Sequence, residues 1–221
     1  MITVHHLNDS RSQRIIWLLE ELGLEYQIER YQRDPETLRA PAMASAVHGL
    51  GKLPVIVDGD LTLAESGAIV EYLLERYGQG RLVPPAGSAE RLRYRYWLHY
   101  AEGSAMTPLL IKLIFDRIET GPVPFFVRPV VRGLARAVKA RFAQPEIDRH
   151  LTFLEAELGH STWFAGEEIT GADILMSFPV QVAAAQAGLN RSRPRLLAFL
   201  DRVAARPAWQ RSVTRGGPYQ L

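Results

Sequence analysis

The chain has 221 residues, 47% hydrophobic and 23% charged, and its 26 Lys and Arg against 24 Asp and Glu leave a formal net charge of +2. This composition is that of a soluble globular protein with one large domain or two modest ones, and so small a net charge implies no nucleic-acid partner, although the pI of about 9.0 is mildly basic. There are no cysteines, which excludes disulfides, thiolate metal sites and a protein-borne thiol nucleophile, so any thiol chemistry must use a thiol supplied by a cosubstrate.

In chain order, Ile2 to Leu7 reads as a strand, Asn8-Asp9-Ser10 breaks it, and Ile15, Ile16, Leu18, Leu19 and Leu22 mark an amphipathic helix closed by Gly23. Tyr26 to Tyr31 reads as a second strand, parallel to the first if the crossover has the usual right hand. After a poorly periodic stretch with Pro35, Pro41 and Gly49, the run GKLPVIVDGDLTLAES supplies a strand at Val55 to Val57, a tight turn at Asp58-Gly59 and a returning strand at Leu61 to Leu63. A helix from Ser66 follows, with Ile69, Val70, Leu73, Leu74 and Tyr77 on one face, and ends at Gly78. The first third therefore reads βαβ-ββα.

The Gly/Pro-rich run from Gly78 to Ser88 marks a boundary, so the expected organisation is an α/β domain over residues 1–79, a linker over 80–88 and an all-helical domain over 89–221. Residues 89–119 form one long amphipathic stretch, Gly121-Pro122 and Pro124 break it, and further helices run from Pro129 to Phe142 and from Pro145 onward. Thr170 and Asp173 have the spacing of a capping box, with Ile169 and Ile174 as its hydrophobic staple. The helix they open is apolar nearly all round and should be the buried centre of the second domain. A helix over Arg195 to Arg206 and a short helix or tail from Pro207 complete the chain. No stretch has the roughly 20 apolar residues of a spanning helix, and the start of the chain does not read as a secretory signal; a cytoplasmic protein without membrane association is the expectation.

The motifs narrow this outline. NDSRSQRIIWLLEELGLEY, HGLGKLPVIVDGD, LAESGAIVEYL, YWLHYAEGSAMTPLL and EEITGADI, in this order over about residues 2 to 210, resemble the soluble glutathione transferases, and within them a bacterial and fungal branch with Ser-Arg after the first strand. The resemblance implies a thioredoxin-like first domain that binds glutathione as cosubstrate, with no tightly bound cofactor. It further implies a helical domain carrying a site for small hydrophobic electrophiles, and a homodimer with a role in detoxification. It assigns Pro54 as a cis proline, Leu53 to backbone pairing with the cysteinyl part of glutathione, Glu65 and Ser66 to the γ-glutamyl end and Lys52 to the glycine carboxylate. Each role is chemically reasonable: a helix start and a serine suit a carboxylate, and a glutamate suits an ammonium.

Conjugation needs a thiolate, and lowering an ordinary thiol pKa by two units takes about 2.7 kcal/mol of preferential stabilisation. Ser10 stands where serine-type members of the family carry the hydroxyl that supplies it. Read without the resemblance, Ser10 and Gln13 are a capping-box pair; with it, Ser10 is the catalytic candidate, and Ser12 and Asn8 are its neighbours in competition. Tyr100, Met106, Thr107 and Leu110 are candidates for the hydrophobic-substrate site. Glutathione-dependent peroxide reduction or dehalogenation, or a binding module without catalysis, are the alternatives. Thr170 and Asp173 are assigned to folding. His5 and His6, adjacent in a strand, face opposite ways and cannot share a metal, so no metal site is expected. Arg128, Arg132, Arg136 and Lys139 read as a solvated basic face.

Overall fold

The computed structural model describes residues 1–35, 37, 39–217 and 219. Four strands form one sheet in the order β2-β1-β3-β4, with β1 at Ile2–Leu7, β2 at Tyr26–Tyr31, β3 at Val55–Asp58 and β4 at Leu61–Ala64. β2 is parallel to β1, whereas β3 is antiparallel to β1 and β4 returns beside β3. Two helices, α1 at Ser12–Leu22 and α3 at Ser66–Tyr77, complete the βαβ-ββα pattern. The β3–β4 turn takes Gly59 at φ 60°, as a tight hairpin requires. Asp58 at that turn accepts hydroxyl bonds from both Tyr72, at 2.8 Å, and Tyr77, which pins α3 to the hairpin. A one-turn helix, α2 at Ala44–Val47, lies in the stretch that shows no periodicity in the sequence; four residues are too few to show one.

The helical domain is α4 (Ala89–His99), α5 (Met106–Thr120), α6 (Arg128–Val138), α7 (Gln144–Glu157), α8 (Gly171–Gln186), α9 (Pro194–Ala204) and α10 (Pro207–Gly216). The long stretch expected over 89–119 is interrupted by a π-helical turn at Tyr100–Ala105, and a second one at Lys139–Ala143 joins α6 to α7. Such turns shift the facing of everything beyond them, which average periodicity conceals. The basic stripe is not wholly solvated: Arg136 pairs with Glu119 at 2.6 Å and Lys139 pairs with Asp116 and with Glu119 of α5.

α8 is the centre, with Ile174, Leu175, Met176 and Val180 fully buried. Its capping box forms, the Asp173 carboxylate accepting the Thr170 N–H and hydroxyl at 2.8 Å each and the Phe164 N–H at 2.8 Å. α10 returns to the first domain and packs on α1, where Trp209 meets Trp17 edge-on at 5.3 Å and Gln13 donates to Ser212 at 3.1 Å.

Candidate active site

A cleft of about 1090 Å³ separates the β1–α1 junction and the segment before β3 from the helical wall of α5 and α8. Ser10, Lys52 and Leu53 line one side; Met106, Leu109, Leu110 and Leu113 of α5, with Phe178 and Val182 of α8, line the other. The apolar residues of α5 recur at positions i, i+3, i+4 and i+7, so a single helical stripe faces the cleft. Among the described residues its rim carries five basic side chains, Arg11, Arg33, Arg39, Lys52 and Arg117, against Asp9 and Asp34. A site so lined attracts small anions.

Ser10 is 5% exposed. Its hydroxyl donates to the Leu7 carbonyl at 2.8 Å, lies 2.7 Å from the Ser12 hydroxyl and accepts the Ser12 N–H at 3.2 Å. The capping box that Ser10 and Gln13 could have made does not form. α1 starts at Ser12 with no side-chain cap, the Gln13 N–H goes to the Ser10 carbonyl at 3.3 Å and the Gln13 side chain is committed to α10.

The Leu53-Pro54 peptide is cis. Lys52 is exposed and its ammonium has no ion-pair partner among the described residues. Before it, Gly51 holds φ 59°, where a Cβ would come within 2.6 Å of the Ser45 hydroxyl. Glu65, at the head of α3, takes φ 70°, a conformation costly for a residue with a side chain, and its exposed carboxylate makes no hydrogen bond or ion pair among the described residues. α3 has no side-chain cap, so its first N–H groups are open to a ligand. Ser66 beside them is 5% exposed.

Sequence reasoning passed over two charged residues that join the halves of the molecule here. Arg14 is fully buried, donating to Glu102 at 2.6 Å, to the Leu175 carbonyl of α8 at 2.7 Å and to the Ser66 hydroxyl at 3.4 Å. Its guanidinium lies 5.1 Å from the centre of the Phe178 ring. Burial lowers its pKa from the ordinary arginine value, and Glu102 opposes that shift. Glu102 sits in the first π-helical turn and also pairs with Arg11 at 3.1 Å. In the sequence Arg14 looks like an exposed position on α1, and nothing local marks its partner 88 residues away.

Of the four substrate-site candidates, the structure brings Met106 and Leu110 to the cleft. Tyr100 instead turns into the helical core, where its hydroxyl bonds His150 and its ring packs among Tyr96, Trp97 and Phe153. Thr107 is exposed and bonds the Gly103 carbonyl at 2.6 Å. Thr107 follows the cleft-facing Met106, so one helical step turns it away, while Tyr100 opens the π-helical turn and faces α7. Phe178 and Val182 were hidden in the uniformly apolar pattern of α8. A second cavity, about 970 Å³, lies behind the linker. Its arginines are already engaged, Arg206 with Glu21, Arg93 with Glu157 and Arg81 with the Leu22 carbonyl.

The sequence profile of the glutathione S-transferase N-terminal domain matches residues 10–76, and that of the C-terminal domain matches residues 125–207. The chain is 34% identical over 208 residues to glutathione S-transferase 3 of Schizosaccharomyces pombe, covering 94% of this chain and 85% of that one. It belongs to the glutathione S-transferase family. Glutathione S-transferase GstB of Escherichia coli K12 is 31% identical over 96% of this chain and 98% of its own. Among solved structures, a glutathione S-transferase from Actinobacillus pleuropneumoniae superposes with a TM-score of 0.80 at 32% identity, covering 98% of this chain and 93% of that one. A sphingomonad enzyme complexed with glutathione, at 22% identity, shares the fold with a TM-score of 0.75. The transferase thus has the thioredoxin-like and helical domains of its family, and among its described residues no helix is long and apolar enough to cross a membrane.

Proposed function

We propose that this transferase binds glutathione along residues 52–66 and joins its thiolate to a small hydrophobic electrophile held against α5 and α8. The observation that carries this reading is the two-sided cleft, in which Ser10, Lys52 and Leu53 face the apolar stripe of Met106, Leu109, Leu110 and Leu113. Lys52 pairs with the glycine carboxylate and Leu53, before Pro54, pairs its backbone with the cysteinyl unit. The unpartnered Glu65 carboxylate receives the γ-glutamyl ammonium. Ser66 and the open start of α3 receive the neighbouring carboxylate. Glutathione carries two carboxylates, a match for the excess of basic side chains on the rim.

On binding, the Ser10 hydroxyl turns its proton from the Leu7 carbonyl to the sulfur. It exchanges a neutral hydrogen bond, worth about 1 kcal/mol net, for a charge-assisted one of about 1.5–3 kcal/mol. Rotation about the Cβ–Oγ bond moves only the hydrogen. The thiol gives its proton to solvent, and the thiolate attacks the electrophilic carbon, forming a C–S bond as a leaving group departs with its electron pair or as a conjugated double bond opens and takes up a proton from solvent. The apolar wall holds the electrophile and excludes water from the thiolate.

A homodimer belongs to the same reading, supported by the family and by the exposed apolar side chains Leu92 and Tyr96 of α4 and Phe153 of α7. Calorimetric titration with glutathione is the first test: no binding at millimolar ligand would remove the proposal. A conjugation assay on a generic aromatic halide with wild type and Ser10→Ala then tests the chemistry, and turnover on a hydroperoxide in the same assay separates conjugation from peroxide reduction.

A further inference from the structure

β1 sends His5 and His6 to opposite faces. His5 bonds the Tyr31 hydroxyl at 2.8 Å near the surface, whereas His6 points inward and is 3% exposed. His6 Nδ1 lies 2.8 Å from the hydroxyl of Ser12, itself fully buried. That hydroxyl lies 2.7 Å from the Ser10 hydroxyl. On its other side the imidazole faces the backbone of Gly216, the last residue of α10, which favours the protonated ring. The chain of contacts therefore runs from α10 through His6 and Ser12 to Ser10, with all three side chains buried.

We infer that His6 and Ser12 are positioning residues for the Ser10 hydroxyl, and that α10 sets their arrangement; the inference rests on the reading of Ser10 as the thiolate donor. The direction of the bonds follows from the end at α10. A backbone partner that favours the protonated ring is a carbonyl, so the nitrogen facing Gly216 donates. Burial and the nearby Arg30 cation, only partly offset by Asp9, push the His6 pKa down to about 4, so the ring is neutral at neutral pH. A neutral imidazole that donates from one nitrogen must accept at the other. A neutral imidazole accepting at Nδ1 takes the Ser12 proton, which otherwise reaches the Leu7 carbonyl at 3.1 Å, and leaves the Ser12 oxygen to accept from the Leu7 N–H at 3.1 Å and from Ser10.

Ser10 is consequently the free member at the cleft end. Its oxygen is held by the Ser12 N–H at 3.2 Å while its proton is shared between Ser12 and the Leu7 carbonyl. It can swing to a thiolate without any heavy atom moving, which is the preorganisation that electrostatic stabilisation requires. α10 is a firm anchor for the other end. Arg215 lies over the Tyr26 ring at 4.0 Å and donates to its carbonyl at 3.1 Å, and Arg30 donates to the Arg215 carbonyl. A Cβ at Gly216 would come within 2.4 Å of the Gln13 amide oxygen, so a larger residue there would displace the Gln13 side chain that ties α1 to α10.

Three variants test the inference. His6→Gln keeps a donor towards Gly216 but removes the acceptor facing Ser12, His6→Asn keeps the acceptor but not the Gly216 contact, and Ser12→Ala removes the middle of the chain. The readouts are the titration of bound glutathione by thiolate ultraviolet absorbance, kcat and KM for glutathione, and a thermal melt. His6→Gln and Ser12→Ala should raise the pKa of the bound thiol and lower kcat by about five- to tenfold with KM changed by no more than about twofold, while His6→Asn recovers most of the loss. The inference is overturned if His6→Gln and Ser12→Ala leave thiol pKa and kcat unmoved, or if Asn is no better than Gln and kcat falls only in step with the melting temperature. Should His6→Gln not fold, Ser12→Ala, which deletes one oxygen, decides by itself. Ser10→Ala keeps the two readings apart: a silent Ser10→Ala removes the proposed role of Ser10, whereas a damaged Ser10→Ala beside silent His6 and Ser12 variants removes only this inference.

Discussion

The start of α8 and the starts of α1 and α3 use the same residue types to opposite ends. At α8 the Asp173 carboxylate takes three donors, from Thr170 and Phe164, and nothing is left over for a ligand. At α3 no side chain caps the helix and Ser66 stands beside open backbone groups; at α1 the Ser10 hydroxyl accepts the Ser12 N–H at 3.2 Å but keeps its own proton, at the edge of the cleft, for exchangeable partners. A serine or threonine followed by an acid or amide three residues on is thus no sign of function by itself. What separates the two kinds of helix start is whether a donor is left over for a ligand. The closed one lies in the buried centre, where an unpaired donor would be costly; the start of α1 borders a cleft that water or a ligand can fill.

The largest effect expected from this contrast is at the closed start. Asp173→Ala leaves three buried donors without acceptors and should cost about 3 kcal/mol in denaturant unfolding, with KM for glutathione unchanged in the folded fraction. The pH dependence has a definite sign. Burial raises the Asp173 pKa to about 6, above the 3.8 of an unperturbed carboxyl, so the folded state holds this proton more tightly. Stability should therefore fall as pH rises from about 4 to about 6, and that decline should vanish in Asp173→Asn.

Where a donor is left over for a ligand the loss should be in rate instead. Ser10→Ala removes the donor to the thiolate and should lower kcat about hundredfold, an effect of about 2.7 kcal/mol, with little change in melting temperature. Ser66→Ala should raise KM for glutathione about tenfold and leave kcat nearly unchanged, as expected for a group that holds substrate and transition state alike. The smallest effect is at Lys52, where Lys52→Ala should raise KM about threefold at low ionic strength and less at high salt, because an exposed charge is screened. If Ser10→Ala proved to be a stability mutant and Asp173→Ala a kinetic one, the contrast between closed and open helix starts would collapse.

Much of this was legible in the chain. The βαβ-ββα order, the turn at Asp58-Gly59 and the capping box of α8 are all local patterns, and the structure contains each of them. Pro54 is indeed the cis proline that the family motif implied. Less legible was the facing of Tyr100, because a π-helical turn changes facing without changing composition. The Arg14–Glu102 pair could not be read at all, since an arginine within an amphipathic helix is ordinarily solvated and its burial depends on α8 closing over it. The same holds for Phe178 and Val182, which only the packing of α8 against α5 distinguishes from core.

By itself the sequence determined the elements, their order and the residue types available for thiol chemistry, because propensity, periodicity and turn preference act over a few neighbouring residues. The tertiary structure alone decided which of those residues face one another across the cleft, which serine is held by a histidine and a helix from the far end of the chain, and which carboxylate is spent on the fold. Those choices depend on burial and on partners up to 210 residues apart, as His6 and Gly216 are, and such contacts exist only once the helical domain has packed back onto the sheet.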